Sequence, residues 1–215
     1  MLVVGLTGGI GCGKSEVRRR LIEAGFIVLD ADTLARQLAE TDPVIISKIK
    51  KEFGEAMYDA AGYLQRKTLA AIVFNDHKEL EKLNGIIHPI VMSAVERQLE
   101  ELEQRGEKIV VVEAALHYEV HWHEAMNAMV VVSAPIEKRL AWVMQRDGVS
   151  EAAVHLRLAN QLPLEEKVKR ANYVIENEGD LKALDDRVSR LAKWLQAQVN
   201  LQTEKEKGEK IQASL

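Results

Sequence analysis

Gly8-Gly9-Ile10-Gly11-Cys12-Gly13-Lys14-Ser15 follows a short apolar run at residues 2–6 and precedes a stretch with helical spacing. The segment fits G-x-x-x-x-G-K-[ST], the pattern of a loop that wraps phosphate between a strand and a helix. Such a loop must aim successive backbone N–H groups inward, and glycine allows that path without Cβ clashes. Lys14 can then bridge terminal phosphates. The Ser15 hydroxyl can ligate Mg²⁺, and the helix beginning there adds the positive end of its dipole. The residue types imply nucleotide binding, and they leave open which nucleotide and which reaction.

Outward from that loop, residues 2–6, 26–29, 109–112, 129–132 and 173–175 are continuous apolar runs, as expected of strands buried on both faces. Helical spacing separates them: Val17, Leu21 and Ala24 share one face, with Arg18, Arg19 and Arg20 expected to turn largely outward. Strand alternating with helix predicts an α/β protein with a parallel sheet. Residues 34–107 break the rhythm and read as a mostly helical insertion, with Val91, Val95, Leu99 and Leu102 marking a long helix after Pro89. A second excursion over 136–170, punctuated by Gly148 and Pro163, reads as a lid. Leu181, Leu184, Val188, Leu191, Leu195 and Val199 form a regular stripe on a last helix, expected to pack in the core rather than in a coiled coil. The charged residues from Thr203 to Lys210 are expected to fray from it as a tail over 203–215.

Composition narrows the possibilities. The chain has 215 residues, 47% hydrophobic and 29% charged, enough for a sizeable core. With 29 Lys+Arg against 33 Asp+Glu the formal charge is −4, which argues against holding nucleic acid through a broadly basic surface. One cysteine makes neither an intramolecular disulfide nor a Cys-based zinc site, which fits a reducing cytoplasm. No stretch approaches the roughly 20 apolar residues of a membrane span.

A GTPase would want Asn-Lys-x-Asp, which does not occur, and the middle strand ends in Glu113 rather than the Asp usual in motor ATPases. A small kinase needs a base near the loop. Asp30-Ala31-Asp32 supplies carboxylates at the end of the second strand, where open α/β sheets place ligands, and one of the two reads as an N-cap of the next helix. Arg139 and Arg146 lie ~10 Å apart along one helix face, suited to closing positive charge over a transferring phosphoryl group. Cys12 at a helix N-terminus is a candidate thiolate, with a tolerated small residue as the alternative. His117, His121, His123 and Glu124 read either as a metal cluster or as a polar surface helix.

Beyond the loop, Asp30-Ala31-Asp32-Thr33-Leu34-Ala35-Arg36, Phe53-Gly54, Gly62-Tyr63-Leu64-Gln65-Arg66, Val73-Phe74, Leu83-Asn84, His88-Pro89, Arg146-Asp147-Gly148, Gln161 and Val174-Ile175-Glu176-Asn177 continue in an order that resembles dephospho-CoA kinases over about the first 200 residues. The resemblance implies a P-loop kinase fold: a parallel five-stranded sheet with a core over 1–33 and 108–202, a helical CoA domain over 34–107 and a lid over about 136–170. It implies transfer of the ATP γ-phosphoryl group to the ribose 3′-hydroxyl of dephospho-CoA with Mg²⁺, the last step of coenzyme A biosynthesis. Another small-molecule kinase, acting on a nucleoside, nucleotide or sugar, and a non-catalytic nucleotide-binding module are the alternatives.

By the same resemblance, Asp32 is the catalytic base, with Lys14, Arg146 and Arg139 serving catalysis and Ser15 the metal. Gly8, Gly9, Ile10, Gly11, Cys12, Gly13, Lys14, Ser15, Glu16, Arg146 and Asn177 would hold ATP. Thr7, Asp32, Arg36, Arg66 and His88 would hold the acceptor. Four positions depart from the family pattern: Ala115 and His117 replace Pro and Leu after the third strand, Glu16 replaces Thr, and Asn172 replaces Asp.

Overall fold

The computed structural model describes residues 1–73 and 75–212. Phe74 of the motif series and residues 213–215 of the expected tail lie outside the described residues. Five strands, β1 (Leu2–Gly8), β2 (Ile27–Asp30), β3 (Ile109–Glu113), β4 (Ala128–Ser133) and β5 (Tyr173–Glu176), form one parallel sheet in the order β2-β3-β1-β4-β5. The strands are the expected apolar runs, four of them lengthened by one or two residues and β2 shifted by one. Val4, Leu6, Val110, Val112, Val131 and Val132 are fully buried because helices cover both faces. All five strands end on the same edge, and the phosphate loop leaves the central one there.

Two helices follow the first two strands directly, α1 (Lys14–Glu23) and α2 (Ala31–Thr41), and then α3 (Pro43–Phe53), α4 (Arg66–Val73) and α5 (His77–Gln104) complete the insertion. The insertion has its own core, in which Ile45, Ile49, Met57, Leu69 and Val73 are buried against Ile86, Ile87 and Ile90 of α5. Pro89 does not open α5 as predicted but lies within it. It removes the hydrogen bond that residue 89 would give to the Gly85 carbonyl. The apolar contacts of Ile86, Ile87, Ile90 and Val91 with two packed clusters hold the helix through that defect.

The second excursion is α6 (Ile136–Asp147), α7 (Glu151–Ala159) and α8 (Leu164–Lys169), and α9 (Leu181–Gln212) closes the chain. Along α9 the stripe from Leu184 to Val199 is buried in the main core, so core packing is the role observed. The backbone of α9 stays helical through Gln212, which corrects the expected fraying at Thr203.

The arginines of α1 are a second correction. Arg18 pairs with Asp30 and with Glu113 at the strand ends. Arg20 is buried, held by Glu16 and by Asp185 of α9. Apolar spacing located the face of α1 that meets the sheet but not these acidic partners. Asp30, Glu113 and Asp185 are brought in by other elements.

Candidate active site

At the carboxyl edge, a cleft of about 630 Å³ is lined by Gly11 to Glu16, Arg18, Asp30, Asp32, Arg36 and Glu113 together with Trp142, Arg146, Asn177 and Leu181. The loop takes its shape from glycines whose neighbours leave no room for a side chain. Gly11 has φ +78, and a Cβ there would meet the Arg139 carbonyl oxygen at 2.7 Å. Gly13 has φ +86, and a Cβ would meet Asn177 Nδ2 at 2.4 Å. Lys14 curls over the loop with Nζ 3.5 Å from the Gly8 carbonyl oxygen, and Ser15 opens α1 beside it.

Asp30 and Asp32 separate cleanly in role. The Asp30 carboxylate accepts from Thr33 N–H at 2.8 Å and from Thr33 Oγ1 at 2.6 Å, so Asp30 is the N-cap of α2. Asp32, in the first turn of the same helix, accepts a long 3.4 Å hydrogen bond from Ala115 N–H and faces the cleft. It also lines a second cleft of about 680 Å³, walled by Val73, Leu80, Leu83, Ile87, Val91 and Met92 of the insertion and by Leu116, Val120 and Trp122 beyond β3. Asn84, His88, Glu119, Arg157, Asn160 and Gln161 supply its polar groups. Asp32 and Arg36 line both clefts. Burial pushes His88 below the ordinary imidazole range against the opposing pull of the Asp32 carboxylate.

Several expected residues sit elsewhere than in the clefts. Arg139 is buried behind the loop, donating to the Ile10 carbonyl at 3.0 Å, and it lines neither cleft. α6 packs so close to the glycine backbone that a Cβ on Gly9 would meet its guanidinium at 2.5 Å. Thr7 is fully buried, donates to the Ala115 carbonyl at 3.2 Å and lines neither cleft. Arg66 pairs with Glu40 at 2.9 Å and lines neither cleft. Arg146 does face the first cleft, oriented by two hydrogen bonds to Asp147 at 2.7 and 3.0 Å. Asn177 faces it too, but one amide hydrogen is spent on the Cys12 carbonyl at 3.0 Å, clasping β5 to the loop.

The remaining candidates resolve against special chemistry. Cys12 is buried, and burial pushes its thiol above the ordinary range despite nearby Arg139 and Lys14, which corrects the thiolate expectation. No group of three or more His, Cys, Asp or Glu among the described residues is arranged to hold a metal. The polar surface helix is also corrected, because residues 117–121 form turns and His117 is fully buried with Nε2 on the Val112 carbonyl at 2.8 Å. Glu16 is tied to Arg19 and Arg20, and Asn172 accepts from Met129 N–H at 2.7 Å, pinning β5 to β4.

Three features escaped the sequence reading. Arg18 stands between Asp30 and Glu113 on the wall of the first cleft. Trp142, 36% exposed, and Leu181 are apolar members of that cleft's lining. Lys167 is fully buried, with Nζ 2.6 Å from Glu119 Oε1. A tryptophan with polar Lys138, Gln145 and Arg146 at i−4, i+3 and i+4 on α6 was a usable signal for the second. Nothing local marked the other two.

A parallel sheet in this order, with a phosphate loop at its central strand and a second cleft meeting the first at a carboxylate, defines a P-loop small-molecule kinase fold. The model of the dephospho-CoA kinase family matches residues 2–183, and the chain belongs to that family. It is 38% identical to a Syntrophotalea carbinolica dephospho-CoA kinase over 188 residues, covering 87% of this chain and 89% of that one. Among solved structures, a Thermus thermophilus protein aligns with TM-score 0.76 and 36% identity over 92% of this chain and 97% of that one. A Campylobacter jejuni dephospho-CoA kinase aligns with TM-score 0.66 and 26% identity over 89% and 95%. No described helix is long and apolar enough to cross a membrane.

Proposed function

We propose that this protein transfers the γ-phosphoryl group of ATP to the ribose 3′-hydroxyl of dephospho-CoA in the cytosol, completing coenzyme A. The observation that carries the reading is the shared wall: Asp32 and Arg36 stand where the two clefts meet. A donor in the loop cleft and an acceptor in the insertion cleft would present phosphorus and hydroxyl to each other across Asp32.

The loop N–H groups and Lys14 hold the phosphates, Trp142 and Leu181 cover the base, and Arg146 brings positive charge from the lid. The insertion cleft offers apolar walls to the acceptor's chain and Arg36 to its phosphates. Asp32 takes the acceptor hydroxyl proton as the oxygen bonds to the γ-phosphorus and the bond to ADP breaks. Arg139 serves by shaping the loop from behind.

The donor set also fits Mg²⁺. The Ser15 hydroxyl, at the end of the loop on the cleft wall, would hold the ion together with the phosphates of ATP, since the carboxylates of Asp30 and Glu113 are engaged by Arg18. When bound there, the ion supplies charge neutralisation on the phosphates.

Asp32→Asn tests the reading. It should fold and bind ATP while turnover of dephospho-CoA falls by about 10³-fold, and unchanged turnover would remove Asp32 as base. ADP release measured with dephospho-CoA beside nucleosides, nucleotides and sugars checks the acceptor. Release with dephospho-CoA alone is expected, whereas binding without turnover would leave only a nucleotide-binding module.

A further inference from the structure

Ile10 is the residue where the lid fastens to the phosphate loop, and both of its peptide groups are taken. Its carbonyl accepts from Arg139 Nε of α6 at 3.0 Å. Its N–H donates to Gln161 Oε1, in the bend after α7, also at 3.0 Å. One N–H of the glycine loop is thereby spent on protein rather than on phosphate. The next residue continues the attachment, with Leu162 N–H donating to Glu119 Oε1 at 2.8 Å. Residues 161 and 162 form a strap that ties the end of α7 to the phosphate loop and to the turn after β3.

Of the two ends of a glutamine amide, a backbone N–H can be met only by the oxygen, so Ile10 fixes which way Gln161 is turned. Its Nε2 donors are left over, and among the described residues they meet no acceptor. Gln161 lines the insertion cleft, and so do Ile10 and Asp32, which places those donors at the end of the cleft next to the loop and the base. The side chains beside it offer no equivalent. Asn160 spends Nδ2 on the Leu156 carbonyl at 3.0 Å, and Glu119 is an anion paired with Lys167. A neutral NH₂ suits a sugar oxygen, whereas the phosphates of an acceptor are matched by the Arg36 guanidinium on the same wall.

We propose that Gln161 reads the acceptor: with Oε1 fixed on Ile10, its Nε2 donates to an oxygen of the ribose that is to be phosphorylated. The inference rests on the insertion cleft holding dephospho-CoA. One planar amide then touches the acceptor with its nitrogen and the phosphate loop with its oxygen. The position of the ribose is set directly against the loop that carries the donor phosphates, and this fixes the approach of hydroxyl to phosphorus.

Gln161→Glu separates the two ends of the amide. The carboxylate still offers Ile10 N–H an oxygen, but it puts a second, charged oxygen where the donors were. The Michaelis constant for dephospho-CoA should rise at least about tenfold, while that for ATP stays within about twofold and the thermal midpoint is unchanged. Gln161→Met removes both ends and should raise both Michaelis constants. Calorimetric titration of dephospho-CoA into nucleotide-free protein should show the same loss of about tenfold in affinity for Gln161→Glu.

A parental Michaelis constant for dephospho-CoA in Gln161→Glu overturns the inference. An equal rise for ATP overturns it too, since the residue would then support the loop alone. Should Gln161→Glu fail to fold, the titration of Gln161→Met decides: parental affinity for dephospho-CoA overturns the proposal, and about tenfold weaker binding supports it. If the unmodified protein turns over no dephospho-CoA, the proposed function falls and this inference with it. Turnover of dephospho-CoA beside an unmoved Gln161→Glu sinks the inference alone.

Discussion

The two clefts that meet at Asp32 are built from different materials. The cleft proposed for the donor is lined mainly by the loop from Gly11 to Ser15 and the ends of β2 and β3, joined by side chains from α6 and α9. The acceptor cleft is assembled from α2, α4, α5, the turn after β3 and the strap after α7, none of which forms a wall alone. A site built on backbone depends on glycines and a few local side chains. A site built between elements depends on the buried polar contacts that hold those elements in register, such as Lys167 on Glu119 and Ala115.

Lys14→Ala should break the donor side most severely. Its kcat/KM for ATP is expected to fall by roughly 10²- to 10³-fold with stability unchanged, and retained activity at ordinary ATP levels would show that backbone alone holds the phosphates. Trp142→Ala addresses the apolar lining of the same cleft. A rise of about tenfold in the Michaelis constant for ATP, with that for dephospho-CoA steady, is expected from a lost stacking surface. Trp142→Phe should restore most of it, and equal weakening of both substrates would mean that Trp142 supports the lid rather than the base.

The smallest effect probes the acceptor side through His117. Burial, with the nearby Lys167 ammonium, pushes its imidazole down to about 4, against the pull of the Val112 carbonyl toward the charged form. In the unfolded chain it titrates near its ordinary value of 6.5. Above that pH both states are neutral and nothing is lost, but as pH falls from 6.5 toward 4 the unfolded chain gains a proton that the fold refuses. Stability should therefore decline by up to about 3 kcal/mol across that window. His117→Leu should remove this part of the acid sensitivity, at a pH-independent cost for the buried Val112 carbonyl that loses its Nε2 partner. Thermal melts of both proteins at pH 7 and pH 5 read the difference, and parallel slopes would contradict the buried neutral histidine.

The donor side was largely legible in the residues themselves. Strand runs, the glycine loop and the Asp30–Asp32 pair announce themselves locally, because a strand buried on both faces must be continuously apolar and a phosphate loop must be glycine-rich. What escaped were pairings over long separations. Arg18 and Arg20 looked like surface charges on a helix until β2, β3 and α9 supplied carboxylates. Arg139 looked like a lid arginine until α6 packed against glycines that have no side chains to keep it out. Pro89 looked like a helix start because local chemistry says so, and packing of the isoleucines around it prevailed.

The sequence alone thus determined a P-loop α/β fold, the order of its strands along the chain, the helical insertion and the Asp30–Asp32 pair as candidate carboxylates, since each depends on residue types within a short window. Which aspartate caps the helix and which faces the clefts, and which arginines reach a cleft, were decided by tertiary structure. Those depend on which charges are brought together and desolvated, and burial makes an unpaired charge costly wherever its partner lies in the chain.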